Sequence, residues 1–218
     1  TLPNKIASSE MYKIRNLKIV GEINGTDWNM IREMAGRNYQ ESSTEGNLSV
    51  LDLSEAKIVA GGDYYYDDNL FNNKVYTSND EIGEYAFAYC SGLTSLTLPA
   101  GITSIGEFAF SYCSGLTSIY VYAEKVPRIG RYAFEGCASR KCTLYVPKGT
   151  YDNYRLSEFG YFENIVEFDA TGIDKTTTST DVEEVSRYSV NGQRLAVPVK
   201  GLNIVKYSDG SARKVVVK

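Results

Sequence analysis

The chain contains no histidine. That absence removes Ser-His-Asp and Cys-His nucleophile systems, imidazole acid–base chemistry and every histidine-ligated metal site. No Cys-x-x-Cys pair occurs among the four cysteines, so a zinc site has neither the spacing nor the completing ligand. Basic residues are outnumbered, 23 against 27 acidic, for a net charge of −4 and a pI near 5.1. With no lysine–arginine stripe against that background, nucleic acid is not expected as a partner. No apolar run approaches the roughly 20 residues that a membrane-spanning helix needs. No signal peptide is visible, which leaves a cytosolic protein or one whose leader has been removed. No cofactor motif is read, and the only catalytic chemistry still open is that of paired carboxylates, for which 27 acids offer many combinations.

What is present is ordinary globular material, 43% hydrophobic and 23% charged over 218 residues. That is enough for one sizeable core and a small second module. It is also repetitive. The stretch Ile82-Gly-Glu-Tyr-Ala-Phe-Ala-Tyr-Cys-Ser-Gly-Leu-Thr-Ser-Leu-Thr-Leu98 returns as Ile105-Gly-Glu-Phe-Ala-Phe-Ser-Tyr-Cys-Ser-Gly-Leu-Thr-Ser-Ile-Tyr-Val121, identical at twelve of seventeen positions. A third copy opens at Ile129-Gly-Arg-Tyr-Ala-Phe134 and contains Cys137 and Thr143-Leu-Tyr-Val146. Offsets of 23 and 24 residues fall in the leucine-rich-repeat window. In each copy Leu-x-x-Leu-x-Leu alternates and predicts a short strand with one buried face. The segment Ile-Gly-x-Tyr/Phe-Ala-Phe-x-x-Cys predicts a returning arm, read as a turn of helix. One copy buries too few side chains to offset its ordering entropy, so stacking on neighbours is obligatory.

Leu48-Ser-Val-Leu-Asp-Leu53 and, more loosely, Ile14-Arg-Asn-Leu-Lys-Ile19 extend the stack toward the N-terminus. Between them Asp27–Ala35 predicts a longer helix ending at Gly36. Residues 61–81, rich in Tyr, Asp and Asn, read as an exposed loop emerging from the stack. After the last strand, Tyr154, Phe159 and Phe162, followed by Ile165-Val-Glu-Phe168, predict a cap. The fold class is therefore α/β: a right-handed leucine-rich-repeat solenoid with short parallel strands over 1–169, a Thr/Ser-rich linker over 170–181, and a small antiparallel all-β module over 182–218. The module is predicted from Asn191-Gly192 and Asp209-Gly210, each flanked by alternating apolar residues. It holds seven basic residues against three acidic ones, +4, which leaves −8 on the rest of the chain.

The repeat resembles the BspA-like leucine-rich repeats of bacterial surface proteins, and Val146-Pro-Lys-Gly-Thr150 with Tyr154 and Ile165-Val-Glu167 is similar to the terminator of that family. The tail, with Asn191-Gly-Gln193, Lys200-Gly201 and its Lys-Val-Val-Val-Lys end, resembles a C-terminal sorting module of Bacteroidetes secreted proteins. The resemblance implies an exported protein, secreted or at the cell surface (outer membrane), that binds or adheres. It transfers no ligand-binding residue.

Binding candidates come from the outward strand positions: Asn16 and Lys18, Val50 and Asp52, Ser95 and Thr97, Ser118 and Tyr120, Thr143 and Tyr145. On a solenoid these line one face. The run Tyr64-Tyr65-Tyr66 is either an aromatic platform for a protein or glycan, or packs back over the solenoid. Cys90, Cys113 and Cys137 recur in one slot and predict a ladder of buried thiols. A disulfide between neighbours, or one using Cys142, is left open. The insert's Asp63, Asp67, Asp68, Asn69, Asn72 and Asn73 lack the Asp-x-Asp-x-Asp-Gly calcium spacing. The expected function is non-enzymatic binding of an extracellular protein or glycan. The alternative is a carboxylate-dependent glycan-active protein or a glycan-binding component of a surface complex.

Overall fold

The structure is a computed structural model and describes residues 1–68 and 73–170, and in the tail 184–189, 194–195, 197, 199–207 and 212–217. Residues 1–171 and 172–218 form two compact units. In the first unit the described strands are β1 (Asn16–Ile23), β2 (Val50–Ile58), β3 (Gly61–Asp68), β4 (Asn73–Thr77), β5 (Glu81–Ile82), β6 (Ser95–Thr97), β7 (Ser104–Ile105), β8 (Ser118–Tyr120), β9 (Arg128–Ile129), β10 (Thr143–Pro147) and β11 (Asn164–Phe168). Among the described residues three α-helices accompany them, α1 (Ser8–Met11), α2 (Gly25–Met34) and α3 (Tyr151–Arg155), with short 3-10 turns at Leu2–Asn4 and Glu158–Tyr161.

The repeat strands lie side by side in one parallel sheet, ordered β1-β2-β6-β8-β10-β11. Alternation dictates the register, because a one-residue slip would turn every leucine to solvent. Leu51, Leu96, Ile119 and Leu144 are successive partners, all fully buried, as the alternation requires. A second parallel sheet, β5-β7-β9, aligns Ile82, Ile105 and Ile129 at the start of each arm.

The arms differ from the helical turn that their sequence suggested. Each is a run of tight turns, with Cys90 N–H donating to Phe87 O at 3.0 Å and Cys113 N–H to Phe110 O at 3.2 Å. Alternate N–H groups leave the arm altogether and bond the next copy. Tyr85, Phe87 and Tyr89 donate to the carbonyls of Glu107, Ala109 and Ser111 at 3.0, 2.7 and 2.8 Å. Phe108, Phe110 and Tyr112 repeat the pattern onto Arg131, Ala133 and Glu135 at 3.2, 2.7 and 2.6 Å. A helix would spend those donors internally; the turns spend them between copies. The geometry puts Tyr85, Tyr89, Phe108, Tyr112 and Tyr132 at φ of 53–61°. That region is costly for aromatic residues, and the inter-copy ladder holds Tyr85, Tyr89, Phe108 and Tyr112 there. In the third copy the slot of Tyr89 and Tyr112 is taken by Gly136, at φ 72°, where the conformation costs nothing.

Inside the arms Trp28, Phe87, Phe110 and Phe134 form a continuous stack, with centroid spacings of 5.3, 5.6 and 5.4 Å. Helix α2 heads it, beginning slightly earlier than expected because Asn24 caps it. Thr26 N–H donates to Asn24 Oδ1 at 3.1 Å, and Asn24 N–H to Asp27 Oδ2 at 3.1 Å. Phe159 and Phe162 close the far end against Phe134, and Tyr154 donates its hydroxyl to Ala123 O at 2.6 Å. The predicted cap is thus buried aromatic structure, and its Ile165–Phe168 segment joins the main sheet within β11.

The insert is not a loop. Strands β3 and β4 pair as an antiparallel hairpin, and Thr77 Oγ1 ties it down through Val59 O and Gly61 O at 2.9 and 3.1 Å. Residues 69–72 lie outside the described residues.

In the second unit β12 (Glu184–Ser189), β13 (Arg194–Leu195), β14 (Gly201–Tyr207) and β15 (Ala212–Val217) form an antiparallel sheet ordered β13-β12-β14-β15. The expected linker beyond residue 170 and both turn dipeptides, Asn191-Gly192 and Asp209-Gly210, lie outside the described residues.

Candidate functional site

The parallel register assembles two rows of outward side chains. One row is Asn16, Val50, Ser95, Ser118, Thr143 and Asn164; the other is Lys18, Asp52, Thr97, Tyr120, Tyr145 and Val166. Eight of the residues singled out in the sequence, Lys18, Asp52, Ser95, Thr97, Ser118, Tyr120, Thr143 and Tyr145, therefore share one face, half-buried or exposed.

The chemistry changes along it. At the β1–β2 end Lys18 Nζ lies 2.6 Å from Glu55 Oε1 and 3.6 Å from Asp52 Oδ2. The hydrogen bond to Glu55, with the Asp52 charge adding to it, raises the lysine's pKa and holds it cationic. In the middle Ser118 Oγ donates to Ser95 Oγ at 2.9 Å, a hydroxyl strip. At the β8–β10 end Tyr120 and Tyr145 stack at 4.3 Å and 6°, with Phe168 edge-on to Tyr120 at 5.9 Å and to Tyr122 at 5.0 Å. Partial burial raises the Tyr120 phenol.

The tyrosine run of the insert divides. Tyr64 is half-buried on the hairpin, edge-on to Tyr39 at 5.4 Å and Tyr76 at 6.2 Å, with Lys74 Nζ 4.6 Å above its ring. It stands apart from the strand rows. Tyr65 and Tyr66, offered as contact residues, are core instead, 1% and 7% exposed. Tyr65 packs on Trp28 and donates its hydroxyl to Glu84 O at 3.0 Å, while Tyr66 stacks on Tyr85 at 4.4 Å. Burial raises the Tyr65 phenol strongly. Both side chains finish the N-terminal end of the arm stack, and that work withdraws them from solvent.

Sequence reading passed over two aromatic rows on the arms. Tyr85, Phe108 and Tyr132 stack at 5.2 and 5.3 Å, and Tyr89 and Tyr112 at 5.0 Å. Tyr112 and Tyr132 are about half exposed, and Arg37 and Arg131 sit over Tyr89 and Tyr132, each at 5.7 Å. The signal was the same 23–24-residue recurrence, in the slots flanking Ala-Phe, hidden because recurrence was equated with core.

All four cysteines are buried free thiols. Cys113 Sγ donates to Phe87 O at 2.9 Å and Cys137 Sγ to Phe110 O at 3.1 Å, so the thiols bond from copy to copy rather than to each other. Burial raises Cys90 to about 11 and Cys137 and Cys142 to about 12, against 9.0 for a free thiol. The folded chain then holds protons that the unfolded chain has released between pH 9 and those values. Stability is full below pH 9 and falls as pH rises through 11–12. A urea midpoint declining from pH 9 upward, with all four thiols reacting with a disulfide reagent only after denaturation, is the expected result; rapid reaction of the native protein at pH 8 would contradict it.

Among the described residues no cluster of three or more Cys, Asp or Glu is placed to hold a metal ion, and no helix is long and apolar enough to cross a membrane. Comparison with curated proteins finds no match. The family model for the BspA type leucine-rich repeat region matches residues 60–188 in six copies, a span that holds the strongest repeats and the arms; β1 and β2 extend the same sheet ahead of it. Spanning more than half the chain, this match agrees with the stacked strands and arms, and the chain belongs to the BspA type leucine-rich repeat family.

Proposed function

We propose that this chain is a non-catalytic binding protein of the cell exterior, secreted or held at the outer membrane of a Bacteroidetes-type bacterium, that recognises an extracellular protein or glycan through its strand face. The tail is proposed as its export or surface-retention module. The observation that carries the reading is the Tyr120–Tyr145 stack beside Phe168, at the end of a row that runs from charge through hydroxyls to aromatics. Flat tyrosine faces bring contact area at low entropic cost, and such anchors dominate binding energy. The hydroxyls of Ser95, Thr97, Ser118 and Thr143 supply adaptable hydrogen bonds beside them.

The full chain on an array of glycans and matrix proteins should retain ligands saturably and leave them chemically unchanged. Tyr145→Ala should weaken that binding about tenfold or more. Lys18→Ala should act chiefly on the association rate and its salt dependence. Undiminished binding by Tyr145→Ala would move the site elsewhere. One observation favours the carboxylate alternative: Glu33, its carboxyl raised by burial, and Asp63 line a common cavity of about 260 Å³. Glycan turnover abolished by Glu33→Gln would establish that reading in place of the first.

A further inference from the structure

The arm ladder has two ends, and they are finished differently. At the N-terminal end no repeat arm precedes the first, and side chains stand in for its donors: Tyr65 Oη on Glu84 O, and Trp28 Nε1 and Arg32 Nη1 on Ala86 O at 3.4 and 2.9 Å. At the C-terminal end the positions equivalent to Tyr85, Phe87 and Tyr89 are Tyr132, Phe134 and Gly136. Their N–H groups meet no acceptor among the described residues, whereas in both preceding copies all three are bonded. The groove beside them encloses about 470 Å³ between the third arm and the cap residues Glu158 and Tyr161.

We infer that this open edge is a docking site for a peptide of a partner protein, one that takes up the turn conformation of a repeat arm, presents carbonyls at alternate residues and lays an aromatic side chain over Tyr132. The preceding inter-copy interfaces show what fits. Carbonyls of residues i, i+2 and i+4 meet the three donors, and the aromatic at i+1 stacks at 5.2–5.3 Å on the one before it. The residue ahead of this motif is glycine, because a Cβ on Gly106 or Gly130 would stand 2.5 Å from the backbone nitrogen of Glu84 or Glu107. The cap's Phe159 and Phe162 already cover the inner side of Phe134, so the occupant needs a small residue where the repeats have their inner phenylalanine. A second copy of this chain does not qualify: of its three complementary carbonyls, Glu84, Ala86 and Ala88, the first two are already capped by Tyr65, Trp28 and Arg32. As in strand addition, main-chain hydrogen bonds give affinity, here to a turn-shaped edge, while the aromatic slot and the glycine requirement give specificity.

The test uses the full chain, isotopically labelled, and a blocked synthetic peptide with the sequence of residues 106–112 carrying Phe110→Ala. The expected result is saturable shifts at the amides of Tyr132, Phe134 and Gly136, with hydrogen exchange there slowed tenfold or more. The same peptide carrying Gly106→Val should bind at least tenfold more weakly. Tyr132→Ala in the protein should weaken the peptide about fivefold while the melting temperature stays within a few degrees. Millimolar peptide that leaves these amides unmoved would overturn the proposal. So would free-protein exchange at the three amides as slow as at Phe110, or equal shifts produced by raising protein concentration alone, which would assign the edge to self-association.

Discussion

Phe110→Ala is expected to cost about 3–5 kcal/mol, the upper range for emptying a packed aromatic site. Phe110 is fully buried and is the middle ring of the stack, parallel to Phe87 at 5.6 Å and to Phe134 at 5.4 Å. Its backbone is held as firmly as its ring, since its N–H bonds Ala133 O and its carbonyl accepts both the Cys113 N–H and the Cys137 thiol. The surroundings therefore cannot close over the cavity, and the loss should sit at the top of the leucine-to-alanine scale rather than the bottom. Chemical denaturation followed by tyrosine and tryptophan fluorescence measures it. Ser118→Ala, which removes one half-buried hydroxyl bond to Ser95, is the internal contrast and should cost no more than about 1 kcal/mol. Equal costs for the two variants would mean that the arm stack does not carry the stability.

Arg32→Ala should be comparably damaging, at about 3 kcal/mol or more. A fully buried arginine normally faces a carboxylate, yet no described residue forms an ion pair with Arg32. Its guanidinium instead donates to Tyr85 O, to Ala86 O at 2.9 Å and to Asn38 O at 3.3 Å, and lies 5.8 Å from the Tyr66 ring. Of these, Ala86 O is a carbonyl that inside the stack would meet a neighbouring copy, as Ala109 O and Ala133 O do. Removing the side chain takes a donor from each of these carbonyls, leaving Ala86 O with only the longer Trp28 bond, and opens a void beneath α2. Arg32→Met keeps most of the volume and relieves the desolvated charge, so its cost should be smaller, about 1–3 kcal/mol. Thermal and urea melts of the pair decide it. A methionine variant more stable than the wild type would show that the buried charge is a net burden here and that the capping bonds are not what holds the first copy.

The parallel sheet was legible because Leu-x-x-Leu-x-Leu recurs at a fixed period and alternation leaves only one register that buries Leu51, Leu96, Ile119 and Leu144 together. The same argument correctly placed Lys18, Asp52, Ser95, Thr97, Ser118, Tyr120, Thr143 and Tyr145 on one face. It failed at the arms. Ile-Gly-x-Tyr-Ala-Phe has the spacing of a helical turn, but its N–H groups are claimed by the next copy, a long-range competitor that no local window contains. At Tyr65 and Tyr66 it left an aromatic platform and packing back over the solenoid equally open, because composition does not show that the first arm's end draws both rings inward.

What the sequence alone determined is therefore what alternation and period dictate: strand, repeat, inward leucines and phenylalanines, the thiol column and the outward strand face. These follow from periodicity, which acts residue by residue and copy by copy. Tertiary structure decided the turn conformation of the arms, whose N–H groups bond the next copy, and everything that happens where the repetition stops. A periodic ladder has identical internal bonds and two unlike ends, and the ends must be satisfied by whatever the chain supplies there. At one end Tyr65, Trp28 and Arg32 fill the missing copy's place. At the other Phe159 and Phe162 seal the core while the N–H groups of Tyr132, Phe134 and Gly136 stay unmatched among the described residues, because a cap that covers side chains does not have to supply carbonyls.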